Sequence, residues 1–176
     1  MKILYANKWG HLKDSVLECF ENDIGTRLPD DYRNYLLKYN GGLPMLRTVK
    51  LSDNFGWTGI DYFLGLNNRE LSEGGTLRSM WENEAKLLPQ GAINIGEDGC
   101  GIVFCYFILG EREGQVFALE PSEIHEMSLD EKRRETLSGE GVYCLANTFT
   151  EFLNKLEENP DAKLLLAEGY TSEEIG

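Results

Sequence analysis

The chain has 176 residues, of which 41% are hydrophobic and 11% aromatic, enough to form one folded domain without disulfides or metal. The formal net charge is −13, and a chain this acidic repels nucleic acid and anionic membranes. Most of the excess of acidic over basic residues lies in residues 101–176, which contain 6 basic and 16 acidic residues. These values exclude a largely disordered chain and argue against nucleic-acid and membrane partners.

The N-terminal residues and the cysteines predict a cytoplasmic protein with reduced thiols. The apolar stretch at residues 3–6 is too short for a secretion signal. The longest uncharged stretch, residues 99–110, falls short of the about 20 residues that a spanning helix needs. The four cysteines are irregularly spaced and mostly lie in apolar contexts, so we expect a buried, reduced thiol at each of Cys19, Cys100, Cys105 and Cys144.

In the first part of the chain, the spacing of apolar residues predicts three helices and two short strands. The second helix starts after Pro29 and is closed by Gly41 or Gly42, because glycine readily adopts the left-handed conformation that ends a helix. The other elements predicted here are helices over residues 8–22 and 76–88 and strands over residues 47–51 and 61–66.

The second half predicts an antiparallel meander followed by a helix. Strands are expected over residues 92–95, 102–109 and 115–119, joined by hairpin turns. Residues 102–109 are apolar at nearly every position, which indicates a strand that is buried on both faces. A charged loop with a helical turn is predicted over residues 120–141. Thr148 and Glu151 form a capping-box pattern at the start of the last helix, which is expected to run to about Glu158.

These elements together predict an α+β fold. A central, mainly antiparallel sheet is packed by several helices. We expect residues 1–160 to form a single domain and residues 161–176 to form a short C-terminal extension docked on it.

The residues that could take part in catalysis or ligand binding form no recognisable catalytic pattern. The glycine-rich segment 96–101 resembles a phosphate-binding loop, but it lacks the Lys-Ser/Thr pair and contains Glu97 and Asp98, so a hairpin turn is the better interpretation. The cysteines and histidines are not paired as zinc ligands are, and no nucleophile motif is recognised. We expect no catalytic residue, no metal site and no cofactor.

Aromatic residues in two segments could serve either packing or recognition. Tyr32, Tyr35 and Tyr39 lie on one face of the second helix, and their spacing favours core packing over a recognition stripe. Trp57 lies in a turn-rich segment and is expected to be partly exposed. It is interpreted either as a hot spot for protein binding or as a cap on the edge of the sheet.

Several short segments stand out by their order and spacing: LPDDY at 28–32, YNGG at 39–42, DYFLGL at 61–66, IG at 95–96 with Gly101, GQVF at 114–117 and TFTEFL at 148–153. Together they resemble the SUKH superfamily, which has the Smi/Knr-type fold. The resemblance covers about residues 8–156, and Ile102 departs from it because the pattern has an acidic residue there. It implies an α+β fold without catalytic activity. Bacterial relatives are chiefly immunity proteins that bind toxins, many of them nucleases, and fungal relatives resemble regulators of cell-wall assembly.

The resemblance and the acidic charge predict an immunity protein that neutralises a cognate basic toxin domain, such as a nuclease, by stoichiometric binding. The alternatives are a regulatory or scaffolding domain that binds another cellular protein and an enzyme of unrecognised type. A solvated face that only confers solubility explains the same charge. The candidate contact residues, which a meander could bring together, are Trp57, Asp61, Tyr62, Glu97, Asp98, Glu111 and Glu113.

Overall fold

Helices and strands are interspersed along the chain in a computed structural model that describes residues 3–4, 6–67, 75–130, 132, 135, 137 and 140–158. The predicted α+β class is confirmed, with a single-domain architecture. The extension expected over residues 161–176 lies outside the described residues. The helices are α1 (Asp14–Ile24), α2 (Asp30–Tyr39), α3 (Leu77–Glu84), α4 (Pro121–Leu129) and α5 (Phe149–Lys155). The strands are β1 (Ile3–Leu4), β2 (Leu43–Pro44), β3 (Thr48–Ser52), β4 (Gly56–Gly59), β5 (Tyr62–Phe63), β6 (Ala92–Glu97), β7 (Val103–Phe107), β8 (Val116–Leu119) and β9 (Val142–Ala146).

The central sheet has the strand order β5-β6-β7-β8-β9, and every neighbouring pair is antiparallel. The predicted meander is therefore confirmed. Every residue of β7 is buried, because successive side chains point to opposite faces and both faces are covered. One face packs with α1, α2 and α5 in the main core, and the other forms a smaller core that includes Cys105, Phe107 and Met127 of α4. In the part of the chain described, no helix is long and apolar enough to cross a membrane.

The aromatic face of α2 lies in the main core. Tyr32 and Tyr35 are buried, and the ring of Phe149 in α5 meets both edge-on, at centroid distances of 4.7 and 5.0 Å. Tyr39 is partly buried against the same cluster. Edge-to-face contacts of this kind add to the stabilisation from burial alone. The interpretation of these tyrosines as core residues is confirmed.

The sequence predictions miss the four strands β1, β2, β4 and β9 and make β5 too long. β4 contains a glycine at each end and lies where a turn was expected, so its composition disfavours a strand; its pairing with β3 defines it. β9 follows the charged segment and is defined by its pairing with β8. The strand expected over residues 61–66 is reduced to Tyr62 and Phe63, which pair with Glu97 and Gly96.

The bounds of several helices differ from the sequence predictions. α1 starts at Asp14 because residues 6–9 form a turn in which Asn7 has a φ of 58°. Trp9 therefore lies outside the helix, in the turn before it. Where a loop with one helical turn was expected, Pro121 begins the nine-residue helix α4, in agreement with the preference of proline for the first turn of a helix. Lys155 ends α5 three residues earlier than predicted.

At the start of α5 the predicted capping box forms only in part. Thr148 Oγ1 accepts a hydrogen bond from the Glu151 amide at 2.9 Å, as expected. The Glu151 carboxylate instead accepts from the amide of Asn147, one residue earlier, at 2.9 Å. The first bond satisfies an amide that the helix leaves without a partner, and the second ties the residue before the N-cap to the first turn.

The loop that follows α2 is a structural junction. Asn40, with a φ of 43°, closes the helix in place of the predicted glycines. Its side-chain amide donates to the carbonyls of Gly10 and Leu66, and its Oδ1 accepts from the Leu66 amide, each at 2.8 Å. Gly41 has a φ of 84°, and a Cβ there would lie 2.7 Å from the Phe63 carbonyl oxygen. Only glycine fits this position without displacing the backbone.

A backbone bridge continues the sheet beyond β5. Gly42 and Phe63 exchange two hydrogen bonds, at 3.1 and 2.7 Å, and β2 begins directly after Gly42. Since β1 pairs with β2, these two short strands extend the sheet past its β5 edge. They bring Leu43 to the side of β5.

Asp31 links α2 to two other elements. Its Oδ1 accepts a hydrogen bond from the Tyr106 hydroxyl of β7 at 3.0 Å, and its Oδ2 accepts from the Thr150 amide at 2.9 Å. Thr150 lies in the first turn of α5, where free amides favour a negative charge. One carboxylate thus fixes α2 against both the sheet and the last helix.

Candidate functional site

Five of the seven predicted contact residues lie in one region, around β4, β5 and the turn between β6 and β7. We call Trp57, Asp61, Tyr62, Glu97 and Asp98 the β5 surface. Tyr62 pairs directly with Glu97 in the sheet, and the Asp61 amide donates to the Glu97 carbonyl at 2.9 Å. Thr58, next to Trp57, donates to Asp98 through its hydroxyl at 2.7 Å.

Glu111 and Glu113 do not join the β5 surface. They lie in the turn between β7 and β8, whereas Glu97 and Asp98 lie at the start of the turn between β6 and β7. Consecutive hairpin turns of a meander stand at opposite ends of the strand they share, and the five residues of β7 alone span about 13 Å. The expectation that a meander brings these two acidic pairs together is therefore wrong.

Asp98 shapes the glycine-rich turn. Its Oδ1 accepts hydrogen bonds from the amides of Cys100 and Ile102, at 2.8 and 2.7 Å, and its Oδ2 accepts from Thr58. This is typical of an aspartate that organises a turn, and β7 follows directly, so the interpretation of this segment as a hairpin is confirmed. Ile102, the residue that departs from the SUKH pattern, is buried in the main core.

Asn94 holds two carboxylates at one position. Its Nδ2 donates to Glu97 Oε1 at 2.9 Å and to Glu84 Oε2 at 3.4 Å, while its Oδ1 accepts from the Gly96 amide. The pairing of β6 with β7 shifts register between Asn94 and Gly96, as in a β-bulge that redirects a side chain. Sequence reasoning did not single out Glu84 as a site residue. The sequence does carry one sign of it: Glu84 is an acidic residue at a position where the spacing of α3 otherwise places apolar residues.

These carboxylates make the surroundings of Tyr62 negative. The pKa of the Tyr62 phenol is raised, first by partial burial and then by the charges of Glu97, Asp61 and Glu84. The pKa of Glu84 is also raised, mainly by partial burial and further by Glu97, although the hydrogen bond from Asn94 opposes the shift. A cation placed here would relieve the repulsion between the carboxylates.

Two depressions meet at Asp61. A groove of about 390 Å³ lies on one side, between Trp57, Arg47 and the glycine-rich turn. A cleft of about 620 Å³ lies on the other side and is lined by Trp9, Leu43, Tyr62 and Phe63. The Asp61 carboxylate packs so close to the turn that a Cβ on Gly99 would stand 2.7 Å from its Oδ2.

The aromatic members of the β5 surface are open to solvent. Trp57 is 41% exposed and Tyr62 is 39% exposed, and the expected partial exposure of Trp57 is confirmed. Sequence reasoning assigned Trp9 to a helix stripe and did not consider Leu43. Both enter the site because the turn before α1 and the bridge after α2 bring them next to β5. Exposed aromatic residues beside charged groups are the usual composition of a protein-binding surface.

The four cysteines are free thiols, but only one of them is buried as expected. Cys105 is buried, and burial raises the pKa of its thiol, with Glu84 adding to the shift. The expectation of burial is wrong for the other three, Cys19, Cys100 and Cys144, which are exposed. Cys100 is exposed because it lies at the tip of the turn between β6 and β7. Among the described residues, no group of three His, Cys, Asp or Glu side chains is suited to hold a metal ion.

Comparison with known proteins identifies a family over most of the chain. Residues 11–155 match the family model described as the SMI1 / KNR4 family (SUKH-1). The matched segment includes α2 with the junction after it, the whole central sheet and the β5 surface. No curated protein matches the chain.

Proposed function

The chain belongs to the SMI1 / KNR4 family (SUKH-1), and from this premise we propose that it is a non-enzymatic protein-binding module. Its specific role in this proposal is that of an immunity protein, which neutralises a cognate toxin by stoichiometric binding. One observation carries the proposal: exposed Trp57 and Tyr62 share a surface with Asp61 and Glu97, next to two concave depressions. Such surfaces bind proteins through aromatic anchors surrounded by polar residues.

Electrostatics favour a basic partner. The chain has a net charge of −13, and Asp61, Glu84 and Glu97 concentrate negative charge around Tyr62. A toxin domain that degrades nucleic acid must attract a polyanion, so its active-site face carries positive charge. An acidic inhibitor associates rapidly with such a face and competes with the nucleic acid for it.

The hydrogen bonds of the β5 surface favour binding over catalysis. Asp98 uses both oxygens to hold the glycine-rich turn and to tie it to Thr58. Glu97 and Glu84 share the amide of Asn94. Carboxylates fixed in this way present a constant pattern of charge to a partner, which suits recognition by a preformed surface.

Affinity capture followed by growth rescue tests the proposal. The wild-type chain, the variant Asp61→Asn/Glu97→Gln and the matched variant Glu111→Gln/Glu113→Gln serve as baits in lysate of the native cells. Both variants lose two negative charges, but only the first alters the β5 surface. We expect wild type and the Glu111/Glu113 variant to retain one basic polypeptide that the Asp61/Glu97 variant binds less tightly.

The captured polypeptide is then expressed alone and together with the chain. We expect it to arrest growth alone and to lose this effect when the chain is present in equal amount. A captured protein that is harmless to cells, or a set of cellular regulators, would contradict the immunity role and favour a regulatory or scaffolding domain. Equal capture by wild type and the Asp61/Glu97 variant would show that the β5 surface is not the contact.

A further inference from the structure

The cleft of about 620 Å³ beside β5 has two unlike walls. We call its lining by Lys8 and Trp9, from the turn before α1, the Trp9 wall, and its lining by Asp61, Tyr62 and Phe63 the Tyr62 wall; Leu43 of β2 also lines the cleft. The lining is predominantly apolar, and Phe63 itself is buried in the main core. A cleft of this kind suits a large apolar side chain, because an aromatic ring buries about 150–250 Å² when it enters such a site.

Charge is distributed unequally between the two walls. At the Trp9 wall, the Lys8 ammonium lies over the indole ring, 4.9 Å from its centroid. At the Tyr62 wall, Asp61 lines the cleft, and Glu97 and Glu84 act on the same phenol. The potential therefore becomes negative across the cleft toward β5, and a bound cation is favoured at the Tyr62 end.

We propose that the cleft receives an aromatic side chain of the partner protein whose neighbouring residue is arginine or lysine. The aromatic ring lies against Trp9 and Leu43, and the cationic group reaches Asp61, beside Tyr62. This inference rests on the proposed function and deepens it, since it names the chemistry of the partner segment. Charge complementarity selects this occupant, because an acidic side chain at the Tyr62 end would meet the Asp61 carboxylate, and Glu97 is the strand partner of Tyr62.

Blocked dipeptides test the inference on the full chain without the toxin. The probes are N-acetyl-Phe-Arg-amide, N-acetyl-Phe-Glu-amide and N-acetyl-Gly-Arg-amide, titrated at low salt and followed by NMR. The chain has three tryptophans, whose indole N–H signals are separate reporters. Trp9 lines the cleft, Trp57 lines the neighbouring groove, and Trp81 in α3 lies outside both sites.

We expect the Phe-Arg probe to shift the Trp9 signal more than those of Trp57 and Trp81. The Phe-Glu probe and the Gly-Arg probe should bind more weakly, because each lacks one of the two recognised groups. Asp61→Asn/Glu97→Gln should weaken binding of the Phe-Arg probe about fivefold, the range expected for exposed ion pairs. Glu111→Gln/Glu113→Gln should leave it unchanged, although the charge change is the same.

Three results would overturn the inference: no shift of Trp9, a larger shift of Trp57 than of Trp9, or equal binding of the Phe-Arg and Phe-Glu probes. These results are independent of the capture experiment. If the probe fails while a toxin is captured and neutralised, the immunity role stands and the toxin uses another contact. If the probe binds in the cleft but no partner is captured, the immunity role fails and the recognition chemistry of the cleft stands.

Discussion

The two ends of α2 and the β5 surface differ in which side chains they leave open to solvent. At the ends of α2, Asp31 and Asn40 direct their polar groups inward, to the Tyr106 hydroxyl and a helix start and to backbone carbonyls. On the β5 surface, Trp57 and Tyr62 remain about two-fifths exposed. The ends of α2 lie in the LPDDY and YNGG segments of the SUKH resemblance, so these segments contribute to the architecture of the fold, while the exposed aromatic residues of the β5 surface are the proposed contacts.

Replacement of Gly41 by alanine should give the largest effect on folding. The residue has a φ of 84°, and the new Cβ would lie 2.7 Å from a backbone oxygen and 2.9 Å from a backbone nitrogen. We expect Gly41→Ala to lower the free energy of unfolding by about 3 kcal/mol or more, from left-handed strain and displacement of the junction. Urea unfolding of the purified chain measures this.

Gly25→Ala is the matched control for Gly41→Ala. Gly25 has a similar φ of 74°, but no atom lies within 4 Å of the position that its Cβ would take. We expect a loss of about 1 kcal/mol, the cost of the backbone conformation alone. Equal losses in the two variants would show that close packing at the junction contributes nothing to stability.

Asp31→Ala should have the next largest effect. The substitution leaves the Tyr106 hydroxyl and the Thr150 amide without their acceptor. We expect a loss of about 2 kcal/mol in the free energy of unfolding, since partly buried donors lose a charged partner. The neighbouring Asp30 carboxylate is exposed and pairs with Arg27, so Asp30→Ala should cost less than about 0.5 kcal/mol. Similar losses for both variants, measured by urea unfolding, would show that the bonds of Asp31 to β7 and α5 do not contribute to stability.

On the β5 surface, we expect substitutions to weaken partner binding more than they lower stability. Trp57→Ala and Tyr62→Ala remove side chains that are already partly exposed, and we expect each to cost less than about 1 kcal/mol of stability. Affinity for the captured partner should fall about tenfold or more, because exposed aromatic residues are frequent hot spots. Isothermal titration calorimetry measures the affinity, and thermal unfolding measures the stability. A large loss of stability with unchanged affinity would show that these residues stabilise the fold and do not contact the partner.

The two regions also differ in how far the sequence predicts them. The periodicity and the terminal residues of α2 predict its position closely, because each signal is local. β4, with a glycine at each end, has no such local signal and depends on its pairing with β3, whereas β9 has strand-forming residues that the sequence prediction passed over. Periodicity placed Trp9 on a helix, and only the fold brings it to the cleft. The separation of Glu111 from Glu97 follows from alternating turns, which the predicted meander already implied.

Glu84→Gln should have the smallest effect on stability, and it should raise the free energy of unfolding. The raised pKa of Glu84 means that its protonated form favours the folded state. The associated stability is complete below its ordinary pKa of 4.5 and is lost as pH rises through the raised value. At pH 7 we expect Glu84→Gln to stabilise the chain by about 0.5 kcal/mol, a value discounted for screening by water. The gain should vanish near pH 4, where wild type carries a protonated carboxyl.

Thermal unfolding between pH 4 and pH 7 measures the effect of Glu84→Gln, with Glu82→Gln as its control. Glu82 is exposed on the same helix, so its replacement removes the same charge without relieving Glu97. A gain independent of pH, or an equal gain from Glu82→Gln, would trace the effect to net charge alone. A pH-dependent gain confined to Glu84 would mean that the carboxylates around Tyr62 reduce stability, as expected where a surface is kept for binding.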